Sequence, residues 1–462
     1  MSQLNRLEQE QALVAQATKE IREYVEALVD DASFVETNAF SVGQSRIDGA
    51  PIVGEGVLCG TATMWGQPIV VVAQNVDALY GSMGKATADK ICRAFDLALR
   101  RNIPVLSVLD SMGARVGEGV AMLEGYGAVL KKASDFYMQN GLHLCVIKGQ
   151  ASGLAAAYAA IADFRLMDKG GILSVAAPAV IAARAAGTFD VAASAEANLA
   201  AGEADFVCDD LASVKAALDD LWNWYACNYE TADDPNRETP ALDEGYTLDA
   251  LMAALVDDND YLEFRASVGA AAKCYLAHVN DISVGVVACD YAACATLSTA
   301  DAEKVLDFLV VLSRAGATLI TLVDSDGLSD EEHKGLIEDM AGIATYMADE
   351  DINRIAVCVG HAVGAAYTLL ASKGIGFDYS VAFPDAVIAP IAPTAAVHLA
   401  YADILKEKGN GQDVQDALAA AYARDKGDAF DAAAKGYIDE VIAPSTLRPY
   451  VANALLLLGA DE

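Results

Sequence analysis

The sequence has few basic side chains for its acidic content. Its 462 residues include 31 Lys and Arg but 66 Asp and Glu, which gives a formal net charge of −35. Contacts with phosphate backbones need clustered Lys and Arg, so the composition argues against DNA, RNA and anionic membranes as partners. A polyanionic cofactor would have to be bound by local donors, above all by backbone N–H groups at helix starts.

Cysteine and histidine are present, but in no pattern typical of a metal site or a disulfide framework. The nine cysteines include no CxxC pair, and the five histidines show no HxxxH spacing. An odd number of scattered cysteines fits a reducing compartment. We therefore predict a cytoplasmic protein that uses no metal.

Long hydrophobic runs are missing as well. The apolar stretches 151–161 and 386–400 are too short, or are broken by proline, to cross a bilayer, which takes ~20 residues. The first residues form a polar amphipathic pattern unlike a signal peptide. The sequence predicts no membrane span.

Several common catalytic motifs are absent too. The stretch GSMGKAT (81–87) resembles a phosphate-binding loop, but it lacks the first glycine, and Ala86 stands where Ser or Thr is required. The chain has no GxSxG nucleophile elbow, and no Cys–His or Ser–His arrangement is legible. Chemistry that depends on these motifs is excluded.

What the sequence does contain is a repeat. Residues 87–113 and 299–327 each predict a helix, then an apolar strand, then Asp-Ser-x-Gly. Farther along, each half carries a small-residue motif, GQASGLAAAY (149–158) and GHAVGAAY (360–367). The copies lie about 210 residues apart, far beyond the period of a solenoid. These matched motifs indicate a duplicated domain, and a duplicated site suits chemistry with two similar demands.

The order of segments predicts the fold class. A chain of 462 residues exceeds what one hydrophobic core usually serves, so two domains are expected. Strand and helix signals alternate in both halves, which favours layered α/β domains; the helices are predicted at 5–30, 86–101, 119–138, 299–315 and 332–349. The polar stretch 230–244 contains two prolines and is predicted as the linker between domains 1–235 and 236–462.

Both small-residue motifs follow a predicted strand and open an alanine-rich helix. Glycine in the G-x-A-x-G turn lets the backbone bend sharply and approach a ligand closely. The start of the following helix then presents N–H groups that no helical carbonyl can accept. The alternative is that the alanines only allow close helix packing. Because the pattern occurs twice at matched spacing, we favour two sites that stabilise oxyanions.

Four strings resemble a known family, the carboxyltransferase subunits of biotin-dependent acyl-CoA carboxylases, with the propionyl-CoA carboxylase β-subunit as the nearest type. These strings are GSMGKATADKIC (81–92), DSMGARVGEG (110–119), PNRETPALD (235–243) and FPDAVIAPIAP (383–393). The resemblance implies an α/β chain of two tandem crotonase-like β-β-α superhelix domains. It also implies transfer of CO2 between biotin and the α-carbon of an acyl-CoA.

The transfer chemistry gives an independent reason for two oxyanion sites. Loss of CO2 from carboxybiotin leaves a ureido anion, and loss of the α-proton leaves a thioester enolate. Each needs preorganised N–H donors, and removing one donor typically costs ~3 kcal/mol. No side-chain base is then required. By the resemblance the first half serves the acyl-CoA thioester and the second half serves biotin.

The resemblance also implies the site residues and partners. The expected catalytic groups are backbone amides, namely those of Gly113, Gly153, Leu154, Gly327, Gly364 and Ala365. The expected substrate pocket is lined by Met112, Tyr158, Tyr367, Thr368 and Thr394. The chain has no Met-Lys-Met biotinylation site, so biotin is expected on a separate biotin carboxyl carrier protein. A biotin carboxylase or a membrane decarboxylase subunit is the further partner, and sites are expected between the N-half and C-half of neighbouring chains in a homo-oligomer.

The chain departs from the family pattern at several of these positions. The residues that stand where the family carries glycine are Met112, Leu154 and Ala365; Asp326 stands where it has proline, and Thr394 where it often has glutamate. The Leu154 side chain could fill space meant for the thioester. These departures bear on the substrate and on activity itself.

Three interpretations remain open from the sequence. The first is an acyl-CoA carboxyltransferase subunit, or the same transfer run in reverse by a biotin-dependent decarboxylase. The second is another CoA-thioester enzyme on this fold that works without biotin. The third is a catalytically weakened paralogue that scaffolds an active one. The acyl group and the direction of transfer cannot be read from the residues.

Overall fold

A mixed eight-stranded sheet forms in each half of the chain. The computed structural model describes residues 3–47, 50–177, 180, 193–226, 230–231, 233–330, 335–348, 352–409 and 411–459. The chain divides into two units, Met1–Asp219 and Asp220–Glu462. No helix within these described ranges is both long enough and apolar enough to cross a membrane.

The first unit has seven described helices, the last of which continues into the second unit. Its strands are β1 (Val35–Thr37), β2 (Arg46–Ile47), β3 (Ala50–Pro51), β4 (Val57–Met64), β5 (Gln67–Gln74), β6 (Val105–Ser111), β7 (His143–Ser152), β8 (Phe164–Asp168), β9 (Ile172–Ser174) and β10 (Phe206–Cys208). Its helices are α1 (Gln3–Ala17), α2 (Lys19–Leu28), α3 (Lys85–Arg101), α4 (Val120–Tyr137), α5 (Leu154–Ala160), α6 (Ala195–Ala200) and α7 (Leu211–Ala226).

The second unit repeats this sequence of elements and adds helices near the C-terminus. Its strands are β11 (Tyr261–Phe264), β12 (Ala272–Val279), β13 (Ile282–Cys289), β14 (Thr318–Ser325), β15 (Arg354–Val363), β16 (Tyr379–Ala382), β17 (Val387–Ala389) and β18 (Glu440–Val441). Its helices are α8 (Leu248–Leu255), α9 (Thr299–Ala315), α10 (Leu336–Met347), α11 (Ala365–Leu370), α12 (Pro393–Ala400), α13 (Ala402–Lys408), α14 (Gln412–Lys426), α15 (Ala429–Ala434) and α16 (Leu447–Leu458).

The two sheets have the same strand order. The first runs β1-β4-β5-β6-β7-β8-β10 with β9 also on β7, and the second runs β11-β12-β13-β14-β15-β16-β18 with β17 also on β15. In both, an antiparallel hairpin leads into parallel strands joined by helices. The duplication predicted from the sequence is therefore confirmed.

Burial explains why these residues form these elements. Strand β6 is buried along its whole length, as expected for a central parallel strand covered on both faces. Helix α3 buries an apolar stripe at helical spacing, and α9 buries the corresponding stripe in the second unit; the two stripes consist of Ala88, Ile91, Phe95 and Ala98, and of Ala302, Val305, Leu309 and Leu312.

The structure differs from the sequence prediction in three elements. The single helix predicted over 5–30 is two helices, which are separated at Thr18, where the side chain bonds to the Val14 carbonyl. Helix α10 is described only from residue 336, and residues 332–334 of the predicted helix lie outside the described residues.

The predicted linker is the third difference. The two units meet within α7, earlier in the chain than the boundary predicted between residues 235 and 236. The stretch after it packs on the second unit, because Arg448 Nε donates to the Asp234 carbonyl at 2.9 Å and the Ser445 N–H donates to the Asp243 carboxylate at 2.9 Å. Polar composition alone could not distinguish a linker from a polar segment that is bonded in place.

Candidate active site

Each unit has the same construction at the carboxyl ends of its two central strands. The Asp110 carboxylate at the end of β6 accepts the backbone N–H of Gln150 on β7 at 3.2 Å. The Asp324 carboxylate at the end of β14 accepts the N–H of His361 on β15 at 2.7 Å. A side chain on the preceding glycine of either neighbouring strand would overlap with that carboxylate. The two aspartates thus fix the ends of neighbouring strands.

The serine after each aspartate supports a tight turn. Ser111 Oγ accepts the N–H of Gly113 at 3.0 Å, and Ser325 Oγ accepts the N–H of Gly327 at 3.1 Å. Both glycines have positive φ, 96° and 109°, which favours glycine over other residues. The two amides predicted as oxyanion donors are therefore already used inside the turn.

The next amide in each turn is the one left open. The Gly113 carbonyl accepts the Met83 N–H at 2.8 Å, and the Arg115 N–H donates to the Met83 carbonyl at 2.9 Å, so the Ala114 N–H between them points away from Met83. Among the described residues the Ala114 N–H has no acceptor. Leu328 holds the same position in the second unit, between Gly327 and Ser329. The geometry shifts the proposed donors from the two glycines to Ala114 and Leu328.

The two helix starts match as well. Gly153 and Gly364 have nearly equal backbone angles, φ 63°, ψ −124° and φ 54°, ψ −121°. Their N–H groups donate to carbonyls of the neighbouring strand region, those of Ser174 and Ala389, each at 2.9 Å. In each unit, the first N–H group of the following helix therefore has no acceptor among the described residues. These are the amides of Leu154 and Ala365, as predicted, followed by those of Ala155 and Ala366.

The two segments that carry the open amides pack against each other in each unit. A Cβ on Gly113 would contact the carbonyl of Ser152, and one on Gly327 would contact the carbonyl of Val363, which are the residues just before the two helix-start glycines. The turn after the first strand therefore packs against the end of the second strand in both units. Each unit can present N–H groups from two segments to one ligand oxygen.

Tyr158 requires a correction, because the structure places it in the core and not in a pocket. It is buried, its hydroxyl lies 2.7 Å from Ser107 Oγ, and its ring packs edge-on against Phe95. Ser107 Oγ also lies 2.8 Å from His143 Nε2. Helix α5 turns this side chain inward because Tyr158 lies on its buried face, with Ala155 and Ala159.

The other predicted pocket residues have varied surroundings. Leu154 is 37% exposed, Thr394 is exposed in the first turn of α12, and Met112 is half-buried. Thr368 is exposed, and its hydroxyl donates to the Gly364 carbonyl at 2.9 Å. That bond is the upstream-carbonyl bond expected of a threonine without a pocket role, so a role in specificity stays a prediction.

Tyr367 lines an open cleft in the second unit. The cleft has a volume of about 530 Å³, and its lining includes Lys373, Lys426 and Lys435. The Tyr367 hydroxyl donates to the Tyr437 carbonyl at 3.1 Å. Burial raises the pKa of Tyr367 to about 12, so this hydroxyl stays protonated at neutral pH.

Sequence reasoning missed a polar cluster at the second site. Asp326 Oδ1 lies 2.6 Å from His361 Nδ1, and Asp326 Oδ2 accepts the Tyr291 hydroxyl at 3.0 Å. The Tyr291 and His361 rings are 4.8 Å apart. Burial and the neighbouring Asp326 raise the pKa of Tyr291 to about 12, and burial raises the pKa of Asp324. The three residues lie far apart along the chain, and no motif in the sequence points to the cluster.

The corresponding positions of the first unit are not acid–base groups. Gln150 matches His361 because each donates its N–H to the strand-end aspartate. Met112 matches Asp326, since each is the second residue after that aspartate. Val76 matches Tyr291 as the second residue after β5 and β13, respectively. The two sites therefore share a backbone frame and differ in side chains.

Comparison with known proteins identifies the class. The crystal structure titled transcarboxylase 12S, described as a hexamer assembly with methylmalonyl-CoA and methylmalonic acid bound, superposes with a TM-score of 0.89 at 25% identity. The match covers 98% of this chain and 94% of that one. The fold is thus the two-domain, crotonase-like carboxyltransferase fold that the sequence predicted.

Sequence comparison then gives the family. The carboxyl transferase domain matches residues 14–461. The propionyl-CoA carboxylase beta chain of Saccharopolyspora erythraea is 29% identical, covering 96% of this chain and 88% of its own length. The methylmalonyl-CoA decarboxylase subunit alpha of Propionigenium modestum is 27% identical, covering 95% and 90%. The chain belongs to the carboxyl transferase domain family, and the resemblance seen in its motifs is confirmed.

Proposed function

We propose that this protein transfers a carboxyl group between carrier-bound biotin and the α-carbon of a short acyl-CoA. One observation carries the proposal: two sets of open backbone amides in matched positions, Ala114 with Leu154 and Leu328 with Ala365. Transfer in either direction produces negative charge on a thioester oxygen and on a ureido oxygen. Two preorganised donor sets meet those two demands.

The amides suit both ligands. They are neutral donors on a chain of net charge −35, so they can stabilise a developing oxyanion where long-range attraction is lacking. Bound biotin supplies a ureido group that gives up or accepts the carboxyl group. We assign the first unit to the acyl-CoA thioester and the second to biotin, as the family resemblance implies. That no metal takes part stays a prediction.

The glycine departures keep the backbone frame of the first site. Leu154 keeps its backbone N–H, and its side chain is 37% exposed, so it does not occupy the core behind the amides. The turn at Gly113 keeps the bond to Ser111 although Met112 precedes it. These observations favour an active enzyme over a scaffolding paralogue.

The partners and the assembly are part of the proposal. Biotin arrives on a separate carrier protein, which a biotin carboxylase or a membrane decarboxylase subunit loads or unloads. The chain forms a homo-oligomer in the cytoplasm, with sites between the first half of one copy and the second half of another. The carboxylase and decarboxylase relatives are about equally similar, so both directions stay in the proposal.

Proline substitution offers a direct test of the amides. Proline is tolerated at the first helical position, where it removes only an N–H that the helix does not use. Leu154→Pro and Ala365→Pro should each lower kcat for carboxyl transfer between methylmalonyl-CoA and free biotin by about 10²–10³. Leu154→Ala and Ala365→Ser keep the N–H and should stay within about tenfold of the unsubstituted protein in the same assay.

The outcome separates the interpretations. Circular dichroism should show unchanged secondary structure in all four variants. Transfer that survives both proline substitutions would contradict the role of the amides. No transfer by the unsubstituted protein, with either methylmalonyl-CoA or malonyl-CoA as donor, would contradict the proposed function itself.

A further inference from the structure

We propose that His361 is an acid–base group of the second site, with Nε2 as the atom that exchanges a proton with the ureido group of the ligand. Asp326 and Tyr291 act as its positioning residues. The inference rests on the proposed function, because it assumes that the second site takes biotin. It adds a side-chain acid–base to a reaction for which the sequence predicted backbone donors alone.

Three contacts fix the orientation of the imidazole. Its Nδ1 lies 2.6 Å from Asp326 Oδ1, its ring lies 4.8 Å from the Tyr291 ring, and its backbone N–H is held by Asp324 at 2.7 Å. Because Nδ1 faces the carboxylate, Nε2 is the nitrogen that remains for a ligand. The side chain is 34% exposed and Asp326 is 16% exposed. The ring is accessible while its partner is mostly covered.

The cluster lies beside the open amides of the second unit. His361 stands three residues before Gly364 on β15, and Asp326 stands two residues before Leu328 in the turn after β14. Both segments are those that carry the donors of this site. A ligand oxygen bound by the Leu328 and Ala365 amides would therefore lie next to the end of β15, which carries His361.

The first unit provides an internal comparison. Gln150 occupies the position of His361, and its amide donates to Ser152 Oγ at 2.8 Å. Met112 and Val76 occupy the positions of Asp326 and Tyr291. None of these three side chains can exchange a proton near neutral pH. If the cluster served only the fold, the same frame would need it in both units; it is present in one.

The chemistry balances with one proton given and one taken. Transfer towards acyl-CoA would break the N–C bond of the carboxylated ureido group, whose electron pair stays with the nitrogen, and would remove one proton from the α-carbon, whose electron pair forms the new C–C bond to the transferred carboxyl carbon. His361 gives its Nε2 proton to that nitrogen or to its conjugated oxygen, and the neutral ring takes up the proton that the α-carbon loses. Transfer in the opposite direction reverses both steps. Asp326 stabilises the protonated ring by accepting from Nδ1.

The experiment uses the residue that the first unit already carries. His361→Gln keeps the backbone bond to Asp324 and removes only the titratable ring. We expect kcat for carboxyl transfer from methylmalonyl-CoA to free biotin to fall by about 10²–10⁴. Calorimetric Kd for free biotin, measured without acyl-CoA, should rise by no more than about tenfold, the effect of one hydrogen bond. His398→Gln, an exposed histidine on α12, is the matched control and should behave as the unsubstituted protein.

A second pair of variants separates chemistry from structure. His361→Ala should regain part of its kcat when imidazole is added, which a purely structural histidine would not show. Asp326→Asn should lower kcat while the calorimetric Kd for free biotin is kept. A kcat for His361→Gln within about threefold of the unsubstituted value, or a folded His361→Ala that imidazole does not rescue, would overturn the inference. Either result leaves the proposed function standing, because the unsubstituted protein still transfers the carboxyl group.

Discussion

Asp168 links the stability of the first unit to pH. It ends β8, and burial raises the pKa of its carboxyl to about 6, against the opposing effect of the Lys148 charge. The Tyr24 hydroxyl donates to its Oδ1 at 3.5 Å. The folded protein therefore keeps this proton at pH values where the unfolded chain has lost it. The resulting cost to stability grows as pH rises from about 4 to about 6 and is constant above that range.

Removing this charge should stabilise the protein at neutral pH. Asp168→Asn keeps an acceptor for Tyr24 but cannot ionise, so the melting temperature should rise at pH 7.5 and rise less at pH 5. Asp209→Asn, an exposed aspartate paired with Lys169, should change little at either pH. Scanning calorimetry at both pH values checks this, and an equal gain at both would show that the effect is not ionisation.

At the residue scale the sequence predicted positions better than roles. It placed Leu154 and Ala365 at helix starts, where their amides are open, because glycine turns after strands have a sequence signature. It could not show that the hydroxyls of Ser111 and Ser325 accept the N–H groups of Gly113 and Gly327, since those hydrogen bonds depend on side-chain rotamers. Nor could the sequence give the inward direction of Tyr158.

Helices α3 and α9 show what fixes the elements in place. Thr87 and Asp301 stand at the third helical position, and each accepts the backbone N–H of the residue before its helix, Gly84 or Ser298; only Ser298 has a side chain that completes a capping box. The sequence paired Thr87 with Thr299 instead, because both are followed by Ala-Asp. The structural alignment differs by two residues. A short run of identical residues therefore gave an alignment of the two helices that was wrong by two residues, although the repeat itself was correct.

Asp301 does more than cap its helix. Its buried carboxylate accepts the Ser298 N–H at 2.9 Å and also the backbone N–H groups of Ala271 and Ala272, at 3.0 and 2.9 Å, which begin β12. The side chain thus ties α9 to the neighbouring strand. Loss of the carboxylate leaves buried donors unsatisfied, at about 1–3 kcal/mol for each group.

Substitutions at Asp301 and at Ser298 should therefore lower the free energy of unfolding by different amounts. Asp301→Ala should lower the free energy of unfolding by about 3 kcal/mol or more, because several buried N–H groups lose their acceptor. Ser298→Ala should cost only about 1 kcal/mol, and Ser298→Gly a few tenths. Thermal unfolding at one fixed protein concentration would rank the three variants. A larger effect for Ser298→Ala than for Asp301→Ala would contradict the linking role of Asp301.

At the scale of the whole molecule the repeat was the most predictive feature. The strand order, the helix order and the paired sites all follow from it, because matched motifs must fold in matched frames. The junction between units was harder to predict, since the polar segment after it is held by bonds to distant residues, such as that from Arg448 Nε to the Asp234 carbonyl. The Tyr291, Asp326 and His361 cluster arises from three distant segments, and only the fold brings these together.

Exposed apolar side chains are candidate contacts for the homo-oligomer proposed above. Val120 and Ile337, near the starts of the equivalent helices α4 and α10, are 71% and 79% exposed. Val116 and Leu123 extend the exposed face beside the first site, at 81% and 52%. Isolated exposed apolar residues need no explanation, but a contiguous face next to a site does. A second copy of this chain is the occupant that the proposed homo-oligomer supplies.

Charged substitutions at these two helix starts should dissociate the proposed oligomer. We expect the unsubstituted protein to sediment as an oligomer at micromolar concentration, and Val120→Asp and Ile337→Asp to shift it towards the 48.2 kDa chain, because burying an unpaired carboxylate is costly. Carboxyl transfer should fall in parallel, since the proposed sites need both copies. Met138→Asp, at the other end of α4 and 78% exposed, should leave sedimentation unchanged. An unsubstituted protein that sediments as a monomer and still transfers carboxyl groups would show that one chain holds a complete site.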